Sequence, residues 1–162
     1  MSATHALRIP HLTPNPLPRE GEGTNVFLIM TGRIFGLTIP FGEYVGIEPL
    51  EQGDGFVRTA LEIKPELMNS WGVAHGGAVM TLLDLTLGMA ARSVDMRSNG
   101  SITVELKVNF IKAATGRINA EGRATRCGKS LVFCEGEVFD ANDDVCAKAT
   151  GTFMLLLPRN QE

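Results

Sequence analysis

The sequence predicts an α+β domain in which one antiparallel sheet wraps a single long central helix. Three observations carry that prediction. Residues 76 to about 93 (GGAVMTLLDLTLGMAARS) are apolar or small almost all round, the mark of a buried helix. From residue 101 onward the apolar period changes to two and stays there. Short polar turns separate the segments with that period, which favours antiparallel hairpins between them.

Taken in order, residues 1–30 carry Pro10, Pro14, Pro16 and Pro18, followed by Arg19-Glu20-Gly21-Glu22-Gly23. Such a stretch buries too little surface to offset its ordering entropy, so it is expected to be a mobile tail. A single domain is expected over 31–158, with a C-terminal tail at 159–162. Its first recognisable element starts near Pro40: residues 41–47 (FGEYVGI) suggest a short helical turn leading into a strand. Residues 56–63 (FVRTALEI) alternate Val57, Thr59, Leu61 and Ile63 against Phe56, Arg58, Ala60 and Glu62, which predicts a strand. The long helix follows. Beyond it, residues 101–111 alternate Ile102, Val104, Leu106, Val108 and Phe110 against Thr103, Glu105, Lys107 and Asn109, the cleanest strand in the chain. Three further strands are expected over 116–126, 130–139 and 147–157. Cys127-Gly128-Lys129 fills one gap between them and the run from Asp140 to Asp144 the other.

Composition narrows the function. The 162 residues are 44% hydrophobic and 20% charged, close to globular averages. A net charge of −3, with Lys and Arg scattered singly, argues against a nucleic-acid partner, which requires clustered positive charge. Three cysteines without a close pair, Cys127, Cys134 and Cys146, fit neither a disulfide framework nor a zinc site; they read as small core or strand residues in a reducing, cytoplasmic setting. No secretory signal and no apolar run long enough to span a bilayer are visible, so no membrane association is expected.

The chemistry concentrates in the long helix. At about 100° per residue, the stripe through Asp84 is Gly77, Thr81, Gly88 and Ala91, with Met80 and Leu87 at its margins. Small residues around an acid leave room for a ligand or another backbone. The opposite side, Ala78, Val79, Leu82, Thr86 and Met89, suits packing on a sheet. At the helix start, His75-Gly76-Gly77 stands where Ser, Thr or Asp usually caps the first N–H groups. Free N–H groups at a helix N-terminus favour an anion, and an oxyanion on an acyl carbonyl is one. Asp84 lies eight residues beyond Gly76, or about 12 Å along the axis. It therefore cannot act on a carbonyl held at its own helix's N-terminus. Two such helices packed antiparallel about a two-fold would bring each Asp84 to the other chain's Gly76. Taken singly, Asp84 reads equally as a structural acid, His75-Gly76-Gly77 as a tight turn and Asn69 as loop chemistry. Their joint spacing shifts the balance toward a site.

Asn69, His75-Gly76-Gly77 and Asp84, followed by Gly88 and the strand TVELKVNFIKAA, resemble the hotdog-fold acyl-CoA thioesterases of the phenylacetate-degradation (PaaI-like) type. The resemblance runs from about residue 40 to 157 and includes the KATGTFMLL end. It implies a helix wrapped by an antiparallel sheet, homodimers or homotetramers with active sites at the dimer interface, and hydrolysis of acyl-CoA without metal or cofactor. By position, Gly76 N–H would hold the thioester oxygen and Asp84 of the partner chain would be base or nucleophile. Asn69 would place the carbonyl or water, His75 would sit beside the sulfur or support the turn, and Thr103 would help hold the water. Gly77, Gly88 and Met80 would touch substrate. Arg126, Lys129, and Arg92 or Arg97 are the cations available to coenzyme A phosphates. Phe41, Leu67, Met68, Trp71 and Met80 are candidates for the acyl pocket. A hotdog hydratase or dehydratase, a non-catalytic acyl-CoA-binding module, and a structural dimer with a satisfied core Asp are the competing readings. The acid nine residues after the His favours hydrolysis over the first, and retention of Asp84 with Asn69 and Thr103 argues against the second. The acyl group is left open between aromatic and medium-chain.

Overall fold

The computed structural model describes residues 34–158; the expectations for the two tails lie outside the described residues. Among the described residues two α-helices and six strands occur in the order α1 (Pro40–Val45), β1 (Ile47–Gly53), β2 (Phe56–Glu62), α2 (Gly76–Ser93), β3 (Ser101–Phe110), β4 (Arg117–Cys127), β5 (Leu131–Phe139) and β6 (Val145–Leu155), with one turn of 3-10 helix at Pro65–Leu67 between β2 and α2. All neighbouring strands are antiparallel, in the order β1-β2-β4-β5-β6-β3. Pro40 opens α1, where its missing N–H and fixed φ are tolerated. Gly46 closes it in the left-handed region at φ 92°. The strand that follows is longer than residues 41–47 announced. Its partner begins after a two-residue Asp54-Gly55 turn, with Gly53 opposite Phe56, a pairing that favours a tight hairpin.

The sheet curls around α2, which touches all six strands. Glycines make the closest approach possible. Gly122 on β4 and Gly136 on β5 sit opposite one another, beneath the Thr86–Leu87 turn of the helix. A Cβ on Gly136 would lie 2.5 Å from the Glu121 carbonyl oxygen and 2.7 Å from Leu87 Cδ2, and one on Gly122 3.0 Å from the same Leu87 atom. Leu87 is therefore fully buried against the sheet rather than at the margin of an open face. Val57, Leu61, Ile118, Val132, Val138 and Phe153 complete the core from the strands. Buried Thr86 meets Thr59 of β2 at 2.6 Å between their hydroxyls and donates to Leu82 O, so neither polar group is orphaned.

Strand β3 is a sheet edge, and most of it is open: Val104 is 58% and Phe110 55% exposed. Its register breaks between Thr103 and Glu105. Before that bulge Thr103 faces α2; after it Leu106 and Val108 pack on the core. The simple alternation would put Ile102 and Val104 on the helix side with Leu106. The bulge sends them outward and turns Thr103 in.

Candidate functional site

Helix α2 presents two groups of candidate residues at different levels. The upper group lies at its N-terminus. His75, at φ −64° and ψ 137°, is the N-cap, and its Nδ1 accepts the Gly77 N–H at 2.9 Å. The helix is thus capped after all, by an imidazole in the role usually taken by a short oxygen side chain. Nδ1 accepts, so the neutral ring carries its proton on Nε2. Ala78 and Val79 N–H both go to His75 O. Gly77 N–H is therefore committed, whereas Gly76 N–H has no partner among the described residues. The Phe110 ring covers that nitrogen's α-carbon: a Cβ at Gly76 would stand 3.4 Å from Phe110 Cζ.

Asn69 builds the approach to this turn. Its Oδ1 accepts from Trp71 N–H at 2.9 Å and Val73 N–H at 3.4 Å, and its own N–H reaches Val73 O at 2.8 Å. The backbone bonds Ala74 N–H to Ala114 O and His75 N–H to Leu67 O, each 2.8 Å, then tie the loop down. The Asn69 side-chain NH2 donates to none of the described residues. Leu67 and Met68 pack against the core and Trp71 is 86% exposed on the loop, so these three do not line the cleft described next.

The lower group is two turns further along. A cleft of 410 Å³ opens between α1, α2 and β3, lined by Ile39, Phe41, Met80, Leu85, Met89 and Leu106 with Thr81, Asp84, Gly88, Ser101 and Thr103. Asp84 is half-buried there, and its Oδ1 accepts the Thr103 hydroxyl at 2.7 Å. It has no ion pair among the described residues. The Thr81 hydroxyl is turned back to Gly77 O at 2.9 Å. Ser101 donates to Gly88 O at 2.8 Å and closes the stripe there. Gly88 and Ala91 are consequently buried, so the open face of the helix ends one turn beyond Asp84. The ring of Phe41 and the side chain of Met80 flank the mouth, 62% and 42% exposed. Ile39, Leu85 and Ser101 were not singled out in the sequence, and Met89 was expected on the sheet-packing side opposite Asp84, yet the cleft takes in both helix residues. At about 100° per residue they stand roughly 100° and 140° round α2 from Asp84, so helical spacing alone does not group them with it; Ile39 and Ser101 depend on loop and strand placement.

The cations divide sharply. Arg97 is tied to Asp95, at 2.9 Å from Nε and 2.7 Å from Nη2, and holds the Asp95 carboxyl down at about 2. Arg92 is buried within the fold, and that burial pulls its guanidinium below the ordinary value. Arg126 and Lys129 are exposed and unpaired among the described residues. They lie at the β4–β5 end of the sheet where Cys127 opposes Val132, Val132 opposes Phe153, and Phe153 opposes Thr103. Among the described residues no group of His, Cys, Asp and Glu is placed to hold a metal, and no helix is long and apolar enough to cross a membrane.

One chain therefore carries an acid with a hydroxyl partner in an apolar cleft, and an open N–H at a helix start about 12 Å away along the same axis. An unpaired helix N–H can stabilise a developing oxyanion, and a carboxylate can take a proton from water or attack a carbonyl. The Thioesterase superfamily profile matches residues 72–147. A Saccharolobus solfataricus protein named "Putative esterase" is 33% identical over 120 residues, 74% of this chain and 79% of its own. A conserved protein from Pseudomonas aeruginosa of solved structure is 36% identical, with 73% of this chain and 94% of that one covered at a TM-score of 0.67. A Streptococcus mutans protein whose structure is bound to acetyl CoA superposes with a TM-score of 0.65 over 71% of this chain and 92% of its own, at 24% identity.

Proposed function

The chain belongs to the thioesterase superfamily and is a hotdog-fold thioester hydrolase; from that premise we propose that it cleaves acyl-CoA thioesters at sites shared between two copies. Asp84 of one chain serves as general base or nucleophile, and the partner's Gly76 N–H holds the thioester oxygen. The observation that carries the reading is the separation of the two groups: Asp84 and Thr103 occupy an apolar cleft, while Gly76 N–H, two turns away on the same helix, has no partner among the described residues. The β3 edge of the sheet formed by the described residues, with its open apolar side chains, supports pairing with a second copy. Acetyl CoA bound to the Streptococcus mutans protein of the same fold supports the coenzyme.

In the base route, Asp84 takes a proton from water as the water oxygen bonds to the carbonyl carbon. The oxyanion accepts from Gly76 N–H, the C–S bond breaks, and the proton passes to the departing thiolate. Thr103 orients the carboxylate by donating to Oδ1, leaving Oδ2 for the water. His75 and Asn69 keep the N–H aimed by capping the helix and ordering the loop. Arg126 and Lys129 are the exposed cations available to coenzyme A phosphates.

The test is thiol release from a panel of aromatic and medium-chain acyl-CoAs by wild type and Asp84→Ala. Removal of the base or nucleophile is expected to lower kcat by about 10²–10⁴-fold. Equal turnover by the variant would refute the role of Asp84. Tight acyl-CoA binding without turnover by wild type would favour a binding module.

A further inference from the structure

One side chain of β3 reaches the residue whose N–H has no partner among the described residues. A Cβ built on Gly76 would have Phe110 Cζ, Cε1 and Cε2 as its nearest neighbours, at 3.4, 3.6 and 4.0 Å. The ring therefore meets the glycine tip first, with its C–H edge and not its face. The strand holds it there. Phe110 pairs with Ala147 of β6, and just beyond it Ile111 N–H and Lys112 N–H both donate to Cys146 O, at 2.8 and 3.1 Å. Past the bulge between Thr103 and Glu105, the residues of β3 turned toward α2 are Leu106, Val108 and Phe110. Leu106 and Val108 pack on the core, whereas Phe110 keeps more than half of its surface open. One edge strand thus borders both halves of the site: Thr103 donates to Asp84, and Phe110 covers Gly76.

Resting on the thioester-hydrolase reading, we infer that Phe110 is a positioning residue of the oxyanion site, where it keeps water off the Gly76 N–H and walls the place of the thioester oxygen. A donor is worth far more to a developing oxyanion where water cannot compete for it. Gly76 has no side chain of its own to exclude water. The His75 imidazole stands at the next residue, its Nδ1 3.0 Å from a Cβ built on Gly77, and is committed to the Gly77 N–H. Shielding of Gly76 falls to Phe110. Its orientation suits an anion: an aromatic ring is negative on its face and positive at its edge, and the edge is what it turns to Gly76. A face in the same place would repel the charge that the N–H is there to hold.

The experiment measures kcat and KM for wild type, Phe110→Ala and Phe110→Leu on the acyl-CoA that wild type turns over fastest, and repeats Phe110→Ala in Gly76→Pro. Phe110→Ala admits water to the donor and is expected to lower kcat about 10-fold, a part of the 10²–10³ that a whole donor is worth, with KM little changed. Phe110→Leu keeps an apolar wall without the polar edge and should lose only about 2- to 3-fold. In Gly76→Pro no N–H is left to shield, so adding Phe110→Ala should change kcat by less than about 2-fold. An equal factor in both backgrounds, an unchanged kcat in Phe110→Ala, or a rise in KM alone would overturn the inference while leaving thioester hydrolysis standing. Size-exclusion chromatography and melting temperature accompany each variant. A Phe110→Ala chain that unfolds, or that falls to monomers where wild type is dimeric, would assign the ring to packing or to the subunit contact and refute the role. No turnover of any acyl-CoA by wild type would instead overturn the hydrolase reading itself.

Discussion

Replacing Gly76 by proline would remove one hydrogen-bond donor and little else. Gly76 is the first residue of α2, the position at which a helix tolerates proline because that N–H has no intrahelical partner. The residue before it must be extended, and His75 already is, at φ −64° and ψ 137°. The nearest atom to a new Cβ is Phe110 Cζ at 3.4 Å, ordinary contact. Loss of one oxyanion donor is worth about 10²–10³ in kcat, and loss of Asp84 about 10²–10⁴. Each variant alone should be nearly inactive. Mixed in one dimer, they need not be. If each site takes Gly76 from one chain and Asp84 from the other, a heterodimer of Gly76→Pro and Asp84→Ala has one intact site and one doubly defective site. Random reassortment makes about half of the dimers heterodimers, so co-expressed variants should recover about a quarter of wild-type thiol release. Sites contained within one chain leave every site defective and predict no recovery. Activity at the average of the two single variants would refute the cross-chain geometry.

Three other outcomes follow from the fold. Gly136→Ala drives a Cβ to 2.5 Å from Glu121 O and 2.7 Å from Leu87 Cδ2; it should lower unfolding free energy in urea by about 3 kcal/mol, and a neutral effect would contradict the close helix–sheet contact. Lys112 is bonded to Asp140 at 2.8 Å and to Asp144, and first among the causes it holds the Asp140 carboxyl below its usual range. A lowered folded-state value gives stability that is present above the ordinary carboxylate value of about 3.9 and lost as pH falls through the folded one. The melting-temperature gap between wild type and Lys112→Met should therefore narrow below about pH 4, and a gap independent of pH would show that the pair adds nothing. Cys134 is buried with its thiol pushed up to about 12, Cys146 is buried and also raised, and Cys127 is exposed. A thiol reagent at pH 8 should label one cysteine per native chain quickly, and simultaneous labelling of all three would refute this assignment.

Periodicity made the architecture legible in advance. An all-round apolar helix has to be wrapped, and period-two segments joined by short turns have to wrap it as antiparallel strands. The ~12 Å of rise between Gly76 and Asp84 was likewise fixed by residue count. The longer β1 escaped because Pro49, Glu51 and Gln52 blur its alternation, and the Asp54-Gly55 turn that ends it was not singled out. His75 as a cap could not be read either, since a ring nitrogen accepts from the helix only when its χ angles aim it there.

The sequence by itself determined the elements and the helical level of each candidate residue, because both follow from local backbone geometry. Tertiary structure decided which face each residue meets. The bulge after Thr103 turns that hydroxyl toward Asp84 against the simple alternation, and Ser101 closes the stripe at Gly88 so that Ala91 is core. It also buried Arg92, whose Nε and Nη1 find no hydrogen-bond partner among the described residues. Strand register and helix approach depend on long-range packing, and a run of residue types does not encode those contacts in its own spacing.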